Sequence, residues 1–273
     1  MDRAFPMLAI PERSNKPRSV GLTMVADGLA SGSLGLHQVD DLMQAAGPYI
    51  DLVKLVALEP ALQSRDFVQK KIALYRKHSV EVFPGGMLLE AALAQGRVDE
   101  CLAEMVGLGF TAVEISDSVS VLTCSQKVRL VHRVNAHGAR AIVELGKKSG
   151  QLAFQPDVAV PEINSYLEAG AWRIILEGEV VTSMVGASAD ERVEAGASAL
   201  TSIATAVGAE HILFEIPLGL SFPQLIPTVW WFVERFGPEV NLANVDPAEV
   251  MAVEFTRRGF APQGWGEIPL GNV

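Results

Sequence analysis

The chain has 273 residues, a length that fits one large domain or two small ones, and its 49% hydrophobic content is ample for a sizeable core. A net charge of −10 argues against nucleic acid or an anionic membrane as the main partner, and an anionic substrate would need locally concentrated cations. Two cysteines, Cys101 and Cys124, supply neither a disulfide framework nor a zinc spacing, and no apolar run reaches membrane-spanning length.

The first 18 residues read as a polar, proline-punctuated extension without the apolar core of a signal peptide, so a soluble cytoplasmic protein is expected. Val20–Ala26 is a buried-strand run ending at Asp27-Gly28, and Gln38–Ala46 has helical spacing stopped by Gly47-Pro48. Tyr49–Ala57 reads as a second strand with Lys54 inside it. Ser64–His78 is an amphipathic helix with a cationic face. Val80–Phe83 is a short strand closed by Pro84-Gly85-Gly86, with a helix from near Leu88.

Val98–Leu108 is helical with Gly109 as its C-cap, Thr111–Ile115 is a fourth strand running into Ser116-Asp117-Ser118, and Ser125–His137 is a helix. Arg140–Leu145 is a fifth strand, Pro161–Ala169 a helix, Trp172–Leu176 a sixth strand and Ala189–Val207 a helix. His211–Ile216 is the seventh strand, Phe222–Phe236 an aromatic-rich helix, Val240-Asn241-Leu242 a short eighth strand and Pro247–Arg258 the last helix. The tail from Gly259 to Val273 has no periodicity. Strand then helix, eight times without a linker, predicts a single (β/α)8 barrel over residues 19–258. A doubly wound open sheet is the alternative, weakened because no glycine-rich dinucleotide fingerprint follows the first strand.

In such a barrel the chemistry sits where strands hand over to the following loops. The polar residues expected there are Asp27, Lys54, Glu114, Ser116, Asp117, Glu144, Lys147, Lys148, Glu177, Glu215, Asn241 and Asn244. Successive strands end in a glutamate in VEIS, VELG, ILEG and FEIP. Buried carboxylates are costly unless paired or metal-bound, and oxygen ligands without histidine favour Mg²⁺. Glu144, Glu177 and Glu215 are the candidate metal ligands; the competing reading is an ion-pair network with Lys54, Lys147 and Lys148 as partners. Gly85 and Gly86 would present backbone N–H groups to an anion, or form an ordinary turn. His37, His78, His132, His137 and His211 are scattered and read as surface or helix residues. Trp230-Trp231-Phe232 reads as helix-to-barrel packing or an oligomer contact, and a homo-oligomer is expected.

Several strings in order, KPRxxGLTMV, YIDxVK, FPGG, LGFTAVEISD, ELGKK, ILEG, FEIP and FGPEVNLANV, resemble the phosphosulfolactate synthase family from about Lys16 to Gly259. The resemblance implies a (β/α)8 barrel that uses Mg²⁺ to add sulfite to phosphoenolpyruvate, a small carboxylate substrate, through an enolate-like intermediate. It implies a lysine of the ELGKK segment, Lys147 or Lys148, as the acid that protonates carbon. Lys54 and Glu114 join these as candidate catalytic residues. Asp27, Gly85, Gly86, Ser116, Asp117, Asn241 and Asn244 are candidates for holding substrate. A non-catalytic barrel with a binding or stress-protective role is the alternative, since plant heat-stress relatives of the family exist. A lysine Schiff base is a third idea.

The departures from the family's pattern are ordered too. Its GWGT after the second-strand lysine becomes Val56-Ala57-Leu58-Glu59, its DKG becomes Asp27-Gly28, and its PGGT ends in Met87. Its EGRESG becomes Glu177-Gly178-Glu179-Val180-Val181-Thr182, and its lysine- and glutamine-bearing loop after the seventh strand becomes Leu218-Gly219-Leu220-Ser221-Phe222-Pro223. Cations, amides and hydroxyls suited to a phosphate or sulfonate have given way to apolar or acidic groups. The expectation is a substrate less anionic and more apolar than phosphoenolpyruvate.

Overall fold

The structure, a computed structural model, describes residues 4–146, 156–178, 181 and 191–260. Eight strands follow one another as β1 (Thr23–Asp27), β2 (Leu52–Leu55), β3 (Glu81–Pro84), β4 (Ala112–Ile115), β5 (Arg140–Leu145), β6 (Arg173–Leu176), β7 (Ile212–Glu215) and β8 (Leu242–Val245). They form one parallel sheet in the order β3-β2-β1-β8-β7-β6-β5-β4. Its two ends meet where the Thr111 N–H donates to Val82 O at 2.9 Å and the Val82 N–H to Thr111 Oγ1 at 3.1 Å. The result is the expected (β/α)8 barrel. Parallel neighbours need a crossover, and a helix after each strand supplies it while covering the sheet's outer face.

Alternation along the strands creates two cores. Leu22, Met24, Leu52, Phe83, Ala112, Ile142, Ile175, Leu213 and Ala243 fill the barrel interior. Their strand neighbours Val25, Val53, Val82, Val113, Val143, Ile174 and Phe214 face outward onto helices. The helix Arg65–Arg76 is capped by Ser64 Oγ, which accepts from the Phe67 N–H, and the helix Cys124–Ala136 by Thr123 in a capping box with Gln126. Gly109 is left-handed at φ 101°, as a C-cap glycine should be. Phe232 lies 5.4 Å from Phe214 of β7 between ring centroids, and Phe236 stacks on the same ring at 4.9 Å, so the aromatic helix Phe222–Phe236 packs onto the barrel.

Several boundaries differ from the sequence reading: the first strand is Thr23–Asp27 rather than Val20–Ala26, and the helix before β6 starts at Pro156 rather than Pro161. The second strand is trimmed to Leu52–Leu55 because Pro48 starts a 3₁₀ turn over Gly47–Tyr49. Glu59–Leu62 forms an extra helical turn. The eighth strand begins one residue after Asn241 and runs on to Val245, with Asn244 at φ 56°.

At the barrel's N-terminal end, the extended segment before β1 is a strap. Lys16 Nζ donates to the carbonyls of Gly47, Ile50 and His78, and Arg18 holds Asp51 at 2.9 Å. Arg13 reaches Glu254 and the carbonyl of Gly21. Among the described residues no helix is long and apolar enough to cross a membrane.

Candidate active site at the barrel mouth

The site follows from strand parity. Side chains two apart on a strand share a face, so the residue two beyond each apolar interior residue also points inward. Leu52 is followed by Lys54, Ala112 by Glu114, Ile142 by Glu144, Ile175 by Glu177, and Leu213 by Glu215. A layer of four carboxylates and one ammonium therefore caps the apolar interior at the C-terminal mouth. All five line one cavity of about 380 Å³, together with Ser118, Gly178 and Asn244. The five are between 2% and 8% exposed, so water screens their charges little.

Lys54 Nζ sits 2.9 Å from Glu215 Oε1 and 3.1 Å from Glu114 Oε2. Burial disfavours the ammonium, but the carboxylates of Glu114, Glu215 and Glu144 outweigh it and hold Lys54 above the ordinary lysine range. The bond to Glu215 is a proper hydrogen bond, whereas Glu114 Oε2 is in ionic contact without a hydrogen-bond partner. Glu215 Oε2 accepts from the Gly178 N–H at 3.1 Å. Ser118 Oγ donates to Glu144 Oε1 at 3.2 Å.

Ser118 owes its place to Glu90, a buried residue of the helix Met87–Ala94. The Glu90 carboxylate accepts from Ser116 Oγ at 2.5 Å and from the N–H groups of Ser118, Val119 and Ser120 at 3.0, 3.0 and 2.7 Å. Burial would raise its pKa, yet these donors hold it below the usual carboxylate range. Ser116, a candidate substrate contact, is thus committed to Glu90 and does not line the cavity.

Several candidates face elsewhere. Asp27 follows the inward Ala26 by one residue, so it points outward into the helix layer. There it meets Lys71 Nζ at 2.8 Å, Tyr75 Oη at 2.8 Å and the Leu34 N–H at 2.8 Å. Burial, then Asp27, pushes the Tyr75 phenol far above its usual range. Asp117 likewise turns outward to Lys127 at 2.9 Å, and Lys127 also donates to the Glu144 carbonyl at 2.9 Å. Asn241 lies at the opposite end of the barrel. Its side-chain oxygen accepts from the Leu22 N–H, and its amide donates to the carbonyls of Glu210 and Ile212. Asp27, Ser116, Asp117 and Asn241 are therefore held in hydrogen bonds and ion pairs of the scaffold and do not line the mouth cavity.

Gly85 and Gly86 do line the cavity, for a steric reason. A β-carbon on Gly85 would stand 2.7 Å from the Ala57 N, and one on Gly86 2.2 Å from Ser116 Oγ. The Gly85 N–H is spent on Leu55 O at 2.8 Å, so it is no anion donor. Lys147, Lys148 and Glu179 lie outside the described residues.

The three expected metal ligands, Glu144, Glu177 and Glu215, all line the mouth cavity. Among the described residues no set of three histidine, cysteine, aspartate or glutamate side chains is arranged to hold a metal, and Glu215 is engaged by Lys54 and the Gly178 N–H. Glu144 and Glu177 remain as cavity-lining carboxylates. Mg²⁺ commonly binds through one or two carboxylates with waters and substrate completing its shell, so this donor pair fits that ion.

The family model described as (2R)-phospho-3-sulfolactate synthase matches residues 11–262. The phosphosulfolactate synthase of Methanothermobacter thermautotrophicus is 32% identical over 269 residues, spanning 98% of this chain and 99% of that one. The phosphosulfolactate synthase of Methanocaldococcus jannaschii is 34% identical over 252 residues, spanning 91% and 95%. Protein HEAT-STRESS-ASSOCIATED 32 of Arabidopsis thaliana is similar at 23% identity, spanning 90% and 88%. A family match of this extent, carried on a barrel whose mouth holds the charged layer described above, places the chain: it belongs to the phosphosulfolactate synthase family.

Proposed function

We propose that the chain is a Mg²⁺-assisted lyase or synthase that forms or breaks a bond beta to a substrate carboxylate through an enolate. The observation that carries this reading is Lys54, fixed as an ammonium between Glu114 and Glu215 beside Glu144 and Glu177 in the mouth cavity. A cation that stays charged in a water-poor site stabilises negative charge as it develops on substrate oxygens. Lys54 is accordingly an electrostatic group rather than a proton carrier. Glu144 and Glu177 would hold Mg²⁺, which supplies Lewis-acid polarisation of the substrate carboxylate when bound. Ser118 orients Glu144, and the Gly178 N–H orients Glu215.

In the addition direction, a nucleophile's electron pair forms the new bond to the beta carbon. The carbon–carbon π pair moves onto the carboxylate-stabilised enolate, and a proton then goes to the alpha carbon. Lys147 or Lys148 is the proton donor we assign, by their place in the family-like ELGKK segment. The loops after β2, β3 and β7 argue for a substrate less anionic than phosphoenolpyruvate.

The purified chain should be assayed for consumption of phosphoenolpyruvate plus sulfite, and for Mg²⁺-dependent binding of small carboxylates, with EDTA controls. Carboxylate binding that requires Mg²⁺ and is lost in Glu144→Gln supports the reading. Ligand binding indifferent to both EDTA and Glu144→Gln would refute it and favour a non-catalytic barrel. Turnover of sulfite with phosphoenolpyruvate at a normal enzymatic rate would remove the altered-substrate part alone.

A further inference from the structure

The cavity has two chemically distinct halves, set by which strands build them. Strands β4 to β7 contribute Glu114, Glu144, Glu177 and Glu215. The loops after β1, β2 and β3, neighbours in the sheet, contribute Leu29, Val56, Ala57 and Met87. Apart from Leu218, which follows β7, the apolar side chains lining the cavity all come from this second half, an apolar wall, and Lys54 of β2 stands between it and the carboxylates.

Two of the wall's backbone N–H groups are closed to a phosphate. The Val56 N–H is spent on Asp27 O at 3.1 Å and the Gly85 N–H on Leu55 O at 2.8 Å. An oxyanion placed against Leu29, Val56, Ala57 and Met87 would meet apolar side chains.

We propose that the β1–β3 wall is a subsite for an apolar substituent, and that the ligand class is a short aliphatic 2-oxo acid or its enol. The substrate's carboxylate then points towards the metal-binding half. The 2-oxo acid class and that orientation rest on the proposed function; the wall's preference for an apolar substituent does not.

Binding of pyruvate, 2-oxobutanoate, 2-oxopentanoate, 2-oxohexanoate and phosphoenolpyruvate to the full chain, measured by calorimetry with Mg²⁺, tests this. Each added methylene should tighten binding roughly fourfold while the wall is being covered. Phosphoenolpyruvate should bind more weakly than 2-oxopentanoate. Met87→Ala and Val56→Ala should each flatten the series, whereas Leu62→Ala, at an exposed position outside the cavity, should not. A flat series, failure of every 2-oxo acid to bind, or tighter binding of phosphoenolpyruvate overturns the proposal. A steep series that survives EDTA would sustain the apolar subsite while sinking the metal-dependent function. A flat series with Mg²⁺-dependent binding would do the reverse.

Discussion

Replacing Lys54 by alanine removes the one cation among the described residues lining the cavity. Glu114 and Glu215, 3% and 2% exposed, would then face each other and Glu144 without the ammonium that lies 3.1 and 2.9 Å from them. Breaking a buried pair by deleting one partner typically costs ~3–5 kcal/mol. For a chain of this size that corresponds to a melting temperature lower by roughly 6–20 °C. The pH dependence gives a sharper test. In the intact protein Lys54 is held above its ordinary value, so its stabilisation is complete below about pH 10 and is lost only as pH rises beyond it. The gap in melting temperature between variant and parent should therefore be full at pH 8 and narrow as pH rises above about 10. Scanning calorimetry from pH 7 to pH 11 measures it. A gap that is absent, or that fails to narrow at high pH, would refute the triad's electrostatic role.

The remaining predictions concern the groups that shape the mouth. Glu90→Gln replaces an acceptor of four hydrogen bonds with a group that must turn N–H against N–H, costing ~1–3 kcal/mol and speeding amide exchange at Ser118, Val119 and Ser120. Because the Glu90 pKa is depressed, its stabilisation is present above the ordinary glutamate value and lost as pH falls through the folded value; a Glu90→Gln deficit that does not shrink on acidification contradicts this. Gly85→Ala drives a β-carbon to within 2.7 Å of the Ala57 backbone nitrogen, and denaturant unfolding should record a loss of ~1–3 kcal/mol. Asp27→Asn strands buried Lys71 without its counter-charge, so stability should fall by ~3–5 kcal/mol while ligand affinity, measured below the variant's melting temperature, stays unchanged. A clear loss of affinity there would return Asp27 to the substrate site.

Strand-end charge was legible from residue order alone; its direction needed parity. Lys54, Glu114, Glu144, Glu177 and Glu215 each stand two residues past an apolar interior residue, whereas Asp27 stands one past Ala26, and that difference separates the mouth from the helix layer. The two lysines that neutralise the outward aspartates were hidden inside helices with polar sequences. Lys71 belongs to the apolar stripe Val68, Ile72 and Tyr75, and Lys127 to the stripe Leu130, Val131 and Val134. A lysine on such a stripe signals a buried partner, and that cue was available. Asn241 and Asn244 lie three residues apart in one polar-looking segment. Only the register of β8 against β7 and β1, with its irregularity beside Thr23, puts them at opposite ends of the barrel. Ser118 could not be recognised from its strand, because its position depends on Glu90, 28 residues earlier.

The two halves of the cavity also differ in how they are held. The carboxylate half projects from the termini of β4 to β7, each paired with its neighbour in the sheet, and Lys54 ties β2 across the mouth to β4 and β7. Moving any one of these carboxylates would uncover a buried charge, so substitutions there carry a stability cost as well as a chemical one. The apolar half is built by short loops, where Val56, Met87 and Leu29 carry no ion pair and can be exchanged at little cost to the fold. Substrate preference can therefore drift on the β1–β3 side while the charged layer stays fixed. The chain's own pattern follows that division at the strand ends: family-like strings are kept at the ends of β4 to β7, whereas the loops after β1, β2, β3, β6 and β7 have changed.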